Sequence, residues 1–293
     1  MIVEACAKIN WSLDITGERE DGYHLMDMLM QPVSLRDVVR LLPAEELTLA
    51  TSGFPLLRPD ENHLALRAAR LLREETGCPR GAAISVHKRI PVGAGMGGGS
   101  ADAAAVLLGL NRLWGTGLGQ HELEQLGLRL GADVPFCLRG GLTRTRGIGE
   151  EMENLPCGRL YPLIVTQPCR GLSTRDVFHL WKPDEAPHPA TDRAAAALES
   201  GDLRLLSASL GNVLQPVSVQ LRPEIGEAIR ALKKAGADLA LMTGSGSAVF
   251  GVFREPALAR AAFPLIAGRW RSTFLCHTQM ESVKITDEEE TFQ

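Results

Sequence analysis

A glycine-rich stretch, PVGAGMGGGSADAAA from Pro91 to Ala105, carries the clearest chemical signal in this 293-residue chain. Five of its first nine residues are glycine, and the small residues that follow predict a helix beginning at Ser100 or Ala101. Glycine lets backbone N–H groups turn toward a ligand without a Cβ in the way. The start of a helix adds unpaired N–H groups and the positive end of its dipole. Together these features predict a phosphate-binding loop.

Other kinds of glycine loop fit this stretch less well. Gly93, Gly95 and Gly98 spell GxGxxG, but Pro91 separates them from the preceding strand, and the region around Asn111 lacks the acidic residue of a dinucleotide site. A P-loop needs a lysine directly after the glycines, and a protein-kinase loop needs HRD and DFG segments; the chain has neither. A purely structural turn is disfavoured, since each glycine costs backbone entropy.

Two further segments carry groups suited to proton transfer and charge neutralisation. Residues 5–15 alternate like a strand, which places Lys8 and Asn10 on one face, although such a face can also simply be solvated. Asp133 lies in the segment GADVPF, where an aspartate can also serve as a helix cap. A lysine about 4 Å from a carboxylate is worth about 4 kcal/mol at an effective dielectric constant near 20, which keeps the carboxylate ionised.

The pattern PxGAGxGGGSA resembles the phosphate loop of the GHMP kinases, which include galactokinase, homoserine kinase, mevalonate kinase and phosphomevalonate kinase. The resemblance implies ATP, with its triphosphate wrapped by the loop, and Ser100 reaching a phosphate oxygen or Mg²⁺. It places either Asn62 or His63 near the adenine. The residues it assigns to ATP binding are Pro91, Val92, Gly93, Ala94, Gly95, Met96, Gly97, Gly98, Gly99, Ser100 and Ala101.

Two segments near the start narrow the resemblance to one branch of the family. AKIN and GxRxDGYH are similar to the opening of the GHMP kinases that phosphorylate the 2-hydroxyl of a cytidine diphosphate-linked polyol, in the non-mevalonate route to isoprenoid precursors. In that branch the lysine and asparagine face the substrate, and the tyrosine and histidine hold the cytosine. The resemblance therefore implies these roles for Lys8, Asn10, Tyr23 and His24.

The remaining site residues also come from the resemblance. GADVPF matches the motif whose aspartate faces the acceptor hydroxyl, so Asp133 is implied as catalytic together with Lys8. A predicted helix beginning near Ser173 offers Thr174 to the substrate and Phe178 to the cytosine, although Phe178 could instead be a core residue. Phosphoryl transfer needs positioning and charge neutralisation more than covalent chemistry. Whether the aspartate removes the proton or only orients the hydroxyl stays open.

The segment TGSGS near residue 245, between two predicted strands, resembles the family loop beside the ATP phosphates, although a plain hairpin turn also fits. Periodicity alone indicates a mixture of α and β. The resemblance implies an α+β two-domain fold with the site in the cleft between the domains. Residues 1–155 would form the ATP-binding domain, of the ribosomal protein S5 domain 2-like type with a βαβ unit, and residues 156–281 a ferredoxin-like domain. We expect residues 282–293 to form a disordered acidic tail.

Composition restricts the classes of function that fit. With 45% hydrophobic and 23% charged residues, the chain has the composition of a soluble globular protein. A net charge of -4 gives no indication of a nucleic-acid or membrane surface, and no apolar run approaches the roughly 18 residues of a membrane span. The six cysteines form no CxxC pair, which favours reduced thiols in the cytoplasm. We expect a monomer or weak homodimer that acts on small molecules.

Two other functions fit some of these residues. A different GHMP small-molecule kinase, of the homoserine or mevalonate type, would have the glycine loop but no use for Tyr23 and His24. A non-catalytic nucleotide-binding protein on the same fold would not need both Lys8 and Asp133.

Overall fold

The computed structural model describes residues 1–20, 22–53, 60–183, 186–270 and 272–286. Its strands are β1 (Ile2–Glu18), β2 (His24–Ala44), β3 (Leu47–Ser52), β4 (Gly81–His87), β5 (Leu142–Gly147), β6 (Glu151–Leu155), β7 (Pro162–Thr166), β8 (Leu239–Met242), β9 (Val249–Val252), β10 (Thr273–His277) and β11 (Val283–Thr286). Its helices are α1 (Leu64–Thr76), α2 (Gly98–Trp114), α3 (Gln120–Leu130), α4 (Val134–Arg139), α5 (Thr174–Leu180), α6 (Thr191–Ser200), α7 (Leu203–Ser209), α8 (Gln215–Leu221), α9 (Pro223–Lys234) and α10 (Pro256–Ala267).

A long antiparallel hairpin of β1 and β2 forms the centre of the first sheet. The sequence predicts two strands, at residues 25–33 and 38–42, where the structure has the single strand β2. The gap closes because residues between them also pair with β1, as Arg36 does with Cys6. The structure therefore has one long strand where the sequence predicts two.

The pairing of β1 with β2 shifts register on both sides of the polar residues that the sequence places on one face. One shift lies between Cys6 and Lys8, and the next lies between Asn10 and Ser12. Register shifts of this kind redirect side chains and increase the local twist of a strand. Lys8 and Asn10 thus lie between two irregularities of the strand, and a third shift follows between Ile15 and Gly17.

The first sheet has the strand order β11-β1-β2-β4-β3, with β5 paired to β2 and β6 paired to β5. β3 and β4 are parallel and α1 connects them, which makes the expected βαβ unit. The alanine-rich helix α2 packs directly on the hairpin: a Cβ on Gly109 would lie 2.4 Å from Leu41 Cδ1. Small residues on this helix therefore bring the glycine stretch close to β1 and β2.

The second sheet is antiparallel, with strand order β10-β7-β9-β8, and α9 and α10 pack on it. Trp11 of β1 joins the two sheets. It is fully buried, and its ring lies edge-on to Tyr161 and Phe250 with centroid distances of 5.6 and 5.7 Å. The expected α+β two-domain architecture is confirmed.

The end of the chain differs from the expectation. Residues 282–293 were expected to form a disordered tail, but Val283–Thr286 is strand β11, which pairs antiparallel with Ile2–Ala5. This pairing gives backbone hydrogen-bond partners to an edge of β1 that would otherwise lack them. Residues 287–293 lie outside the described part of the chain. Within that part, none of the helices is long and apolar enough to cross a membrane.

Candidate active site

A cavity of about 1460 Å³ is lined by residues from both halves of the chain. Its walls include Lys8 and His24 of the first hairpin, the glycine stretch, Asp133, and Phe178 of α5. Small-molecule pockets usually occupy about 300–1,000 Å³. The cavity therefore has room for two ligands side by side, as a transfer reaction between two substrates requires.

The glycine stretch forms a loop that leads into α2, as the sequence predicts, but the helix starts earlier than expected. α2 begins at Gly98 rather than at Ser100 or Ala101. Gly97 precedes it in the left-handed conformation, with φ of 70°. A Cβ on Gly98 would lie 2.9 Å from Ile90 Cγ2, so the first helical turn fits only because this residue is glycine.

The loop is held by backbone contacts with other segments. Lys8 N donates to Met96 O at 3.0 Å, and Ala248 N donates to Ala94 O at 3.1 Å. A Cβ on Gly95, which has a φ of 74°, would lie 2.3 Å from the carbonyl oxygen of Thr243. The second glycine segment, at residues 243–247, thus touches the first, and its place beside the phosphates stays a prediction.

Lys8 and Asp133, which the sequence assigns to catalysis, lie together beside this loop. Lys8 Nζ is 3.6 Å from Asp133 Oδ2; the lysine side chain is 5% exposed and the aspartate side chain 33%. A Cβ on Gly97 would lie 3.1 Å from Lys8 Cγ and 3.6 Å from Asp133 Oδ2. Asp133 occupies the N-cap position of α4, but its side chain accepts no capping hydrogen bond. The carboxylate is therefore available to a ligand in the cavity.

The environment of Asn10 differs from that expected of a residue that contacts the substrate. It is 1% exposed, and its Oδ1 accepts from Lys8 Nζ at 2.6 Å and from Gly244 N at 3.0 Å. Its Nδ2 points at Met28 Sδ, 3.4 Å away. Although Asn10 lines the cavity, its carbonyl oxygen is used to orient the lysine and to attach the second glycine segment.

Another part of the cavity wall is built from aromatic rings. His24 and Phe178 stack on each other, with centroids 5.4 Å apart and an interplanar angle of 19°. Tyr23 is 60% exposed, and the Arg19 guanidinium lies 5.6 Å from the centre of its ring. The predicted cytosine-binding residues thus come together, but the stacked rings leave no space for a base between them.

Thr174, the other predicted substrate contact, lies at the start of α5 and lines the cavity. Its Oγ1 is 2.9 Å from Ser245 Oγ in the second glycine segment. Ser173 is the N-cap residue and accepts from Asp176 N. The helix therefore presents Thr174, not its cap, to the site.

Of the two candidates near the adenine, His63 lines the cavity. It is the N-cap of α1, and its Nδ1 accepts from Ala65 N at 3.3 Å. Burial lowers the pKa of His63, and the positive charge of Lys88 lowers it further. The imidazole is thus held in its neutral form beside the cavity.

Sequence reasoning missed three ionisable residues under the glycine loop. Lys88 forms a buried ion-pair cluster with Asp37 and Asp102. Lys88 ends an alternating strand and resembles a solvated residue in the sequence. Its partners come from distant segments of the chain, so no local spacing could reveal them.

Comparison with known proteins agrees with this geometry. The chain matches the family profile described as GHMP kinases N terminal domain over residues 63–141, and the one described as GHMP kinases C terminal over residues 194–265. A 4-diphosphocytidyl-2-C-methyl-D-erythritol kinase from Pelotomaculum thermopropionicum is 44% identical over 273 residues, which cover 92% of this chain and 93% of that protein.

Two further relatives extend the likeness over the chain's full length. A 4-diphosphocytidyl-2-C-methyl-D-erythritol kinase from Bacillus cereus is 37% identical over 294 residues, covering 100% of this chain and 99% of that protein. A crystal structure of 4-(cytidine 5'-diphospho)-2C-methyl-D-erythritol kinase superposes with a TM-score of 0.81 at 35% identity, covering 95% of this chain and 99% of that chain. The similarity therefore includes both domains and the whole cleft.

Proposed function

The chain belongs to the GHMP kinase family, and within it to the 4-diphosphocytidyl-2-C-methyl-D-erythritol kinases, and from this premise we propose how it carries out the reaction. ATP phosphorylates the 2-hydroxyl of 4-diphosphocytidyl-2-C-methyl-D-erythritol, which gives the 2-phosphate and ADP in the non-mevalonate route to isoprenoid precursors. The observation that carries the proposal is the Lys8–Asp133 pair, 3.6 Å apart, in one cavity that the glycine loop and the aromatic rings also line.

The triphosphate of ATP binds along the glycine loop and at the N-terminus of α2. The absence of Cβ atoms at Gly97, Gly98 and Gly99 leaves the N–H groups of the first helical turn accessible to phosphate oxygens. Mg²⁺ would neutralise phosphate charge and enter with the nucleotide. Ser100, on the cavity wall, offers a hydroxyl ligand, and the described residues contain no group of three or more His, Cys, Asp or Glu side chains placed to hold a metal.

Asp133 orients the 2-hydroxyl and accepts its proton as the oxygen attacks the γ-phosphorus. General-base assistance of this kind contributes about 10²–10⁴-fold to a rate. Lys8 lies beside both the carboxylate and Gly97 of the loop, where its ammonium neutralises charge on the transferring phosphoryl group. Asn10 holds the lysine in this position through the 2.6 Å hydrogen bond to Nζ.

The cytidine end of the substrate binds against the rings of Tyr23, His24 and Phe178. Because His24 and Phe178 already stack on each other, the base lies on an outer face of this pair, with Tyr23 closing over it. Thr174 contacts the substrate between the base and the reacting hydroxyl. Arg175, which also lines the cavity, supplies a positive charge for the diphosphate.

Coupled measurement of ADP release tests the function directly. Purified enzyme is assayed with 4-diphosphocytidyl-2-C-methyl-D-erythritol, homoserine and mevalonate, each with ATP and Mg²⁺. Of the three acceptors, we expect only the cytidyl substrate to be turned over. Turnover with homoserine or mevalonate alone would reassign the chain within its family, and nucleotide binding without turnover of any acceptor would indicate a binding protein.

The setting of the reaction is part of the same proposal. The enzyme acts in the cytoplasm on small molecules, as a monomer or weak homodimer and without nucleic acid. The described cysteines are all unpaired, which is typical of a reducing compartment. The net charge of -4 gives no support to a nucleic-acid partner.

A further inference from the structure

Lys88 is almost completely buried between two carboxylates beneath the glycine loop. Its Nζ donates to Asp102 Oδ2 at 2.6 Å and to Asp37 Oδ2. The three side chains are 3% exposed for Lys88, 0% for Asp37 and 1% for Asp102. This cluster lies outside the Lys8–Asp133 pair, although Lys88 and Asp102 reach the wall of the same cavity.

The cluster connects the two ends of the loop. On one side, Asp37 Oδ1 accepts from Arg89 N at 2.5 Å and from Ile90 N at 2.8 Å, which are the last residues before Pro91. On the other side, Asp102 belongs to α2, which starts where the loop ends. The lysine therefore connects the segment that enters the loop to the helix that leaves it.

Stability alone is a poor reason for this arrangement. Taking several charges out of water costs about as much as their pairing returns, so buried ion pairs often stabilise no more than apolar residues of similar size. Here one ammonium faces two carboxylates, and Asp102 Oδ1 is buried without a hydrogen-bond partner. Burial and the nearby negative charge of Asp37 raise the pKa of Asp102 to about 7, although Lys88 opposes this shift.

We propose that Lys88, through its link to Asp102, is a positioning residue that fixes both ends of the glycine loop in the geometry that binds the ATP phosphates. The inference rests on the proposed function, since it deepens the role of the nucleotide end of that site. If the nucleotide had to order the loop on binding, its affinity would be lower. A loop that is already fixed avoids this cost.

Two substitutions at Asp102 separate the link from the charge. D102N and D102A both remove the negative charge, but the asparagine carbonyl can still accept from Lys88 Nζ, whereas alanine cannot. Both leave Lys88 paired with Asp37, and alanine is well suited to a helix interior. Calorimetry with a non-hydrolysable ATP analogue and Mg²⁺ measures nucleotide affinity without any phosphoryl acceptor.

We expect D102N to bind the analogue within about twofold of wild type and D102A to bind it about tenfold more weakly. The affinity for the cytidyl substrate should change less than twofold in both. Equal nucleotide affinity in the two variants would overturn the proposal. If wild type itself binds no nucleotide, the proposed function fails instead, so the two failures are distinguishable.

Glu124 provides a matched control in the same domain. It is 6% exposed and paired with Arg139 Nη2 at 2.5 Å, and neither residue lines the cavity. E124Q and E124A repeat the amide and alanine changes, and we expect melting temperatures to fall without any change in nucleotide affinity. A drop in nucleotide affinity for E124A as large as that for D102A would show that general destabilisation explains both.

If D102A does not fold, the double variant K88M/D102N removes the same link. It exchanges a cluster of one cation and two anions for the single anion of Asp37, so the net charge stays at -1. We expect the same tenfold loss of nucleotide affinity, and wild-type affinity would overturn the proposal.

Discussion

The two ends of the cleft are built from different parts of the polypeptide. At the proposed nucleotide end, backbone segments pack directly on each other: a Cβ on Gly95 would lie 2.3 Å from Thr243 O, and one on Gly171 would lie 2.4 Å from Gly93 O. At the proposed cytidine end, the surface consists of side chains, with His24 stacked on Phe178 and Tyr23 60% exposed.

This difference bears on how each end recognises its ligand. Backbone N–H groups can hold a phosphate whatever the side chains are, provided that no side chain interferes. Glycine is therefore required here for its conformation and small size. A base is recognised by the rings it stacks on, so the identity of each side chain matters. The nucleotide end is therefore suited to a substrate shared by the whole family, and the aromatic end to one that defines a branch.

The largest expected effect lies between the two ends, at Asp133. D133N keeps the shape of the side chain but cannot accept the hydroxyl proton, so we expect kcat to fall by about 10²–10⁴-fold. Affinity for each ligand, measured by calorimetry, should change little. Asp176 on α5 does not line the cavity, and D176N should keep full activity. A D133N enzyme that retains most of its kcat would remove Asp133 from the proton-transfer step.

Breaking the nucleotide end should selectively weaken ATP binding. In G95A the new Cβ collides with Thr243 O and the residue keeps a φ of 74°, so we expect about a hundredfold rise in KM for ATP. Gly77 also has a positive φ, of 62°, but an added Cβ would meet nothing within 4 Å. G77A should therefore lose some stability and keep its KM for ATP. Equal behaviour of the two variants would contradict a backbone-built site.

Breaking the aromatic end should affect the other substrate. F178A removes a ring on which we propose that the base stacks. Such stacking is worth about 1–3 kcal/mol, so KM for the cytidyl substrate should rise by about 5- to 150-fold. KM for ATP should not change. Phe263 on α10 is half-buried away from the cavity, and F263A supplies the control. An F178A enzyme with wild-type KM values would mean that Phe178 is only a packing residue.

The last prediction concerns stability rather than activity, through pH and the cluster beneath the glycine loop. Because the pKa of Asp102 is raised to about 7 in the folded protein, the folded state holds a proton that the unfolded chain releases near pH 4. The contribution of Asp102 to the free energy of unfolding is therefore complete below about pH 4. This contribution is lost as the pH rises through about 7. The melting temperature of wild type should fall relative to that of D102N between pH 5 and pH 8, by about 2–4 °C for each kcal/mol of unfolding free energy that is lost. Parallel curves would contradict this shift.

The sequence predicted the parts of the site that depend on local spacing. The glycine loop, GADVPF and the Tyr23–His24 pair are each short segments, and the structure brings the predicted residues into one cleft. It also places Lys8 beside Asp133, as the resemblance implies. The roles of these residues in the reaction stay predictions.

Features that depend on contacts between distant segments could not be predicted in this way. Lys88 meets Asp37 across 51 positions of sequence and Asp102 across 14, and only the topology of the sheet brings them together. Residues Val283–Thr286 are rich in β-branched residues, but the edge of β1 with which they pair lies almost the whole chain away in sequence. Similarly, α2 starts at Gly98 despite the low helix propensity of glycine, and the close approach of Ile90 to this residue is not visible in the sequence.

The most direct measurement is a crystal structure of the enzyme with a non-hydrolysable ATP analogue, Mg²⁺ and 4-diphosphocytidyl-2-C-methyl-D-erythritol. We predict that the substrate's 2-hydroxyl oxygen lies within hydrogen-bond distance of an Asp133 carboxylate oxygen. The γ-phosphate should lie between that oxygen and the loop at Gly97, beside Lys8 Nζ. A 2-hydroxyl bound away from Asp133, or a triphosphate bound outside the glycine loop, would contradict the account.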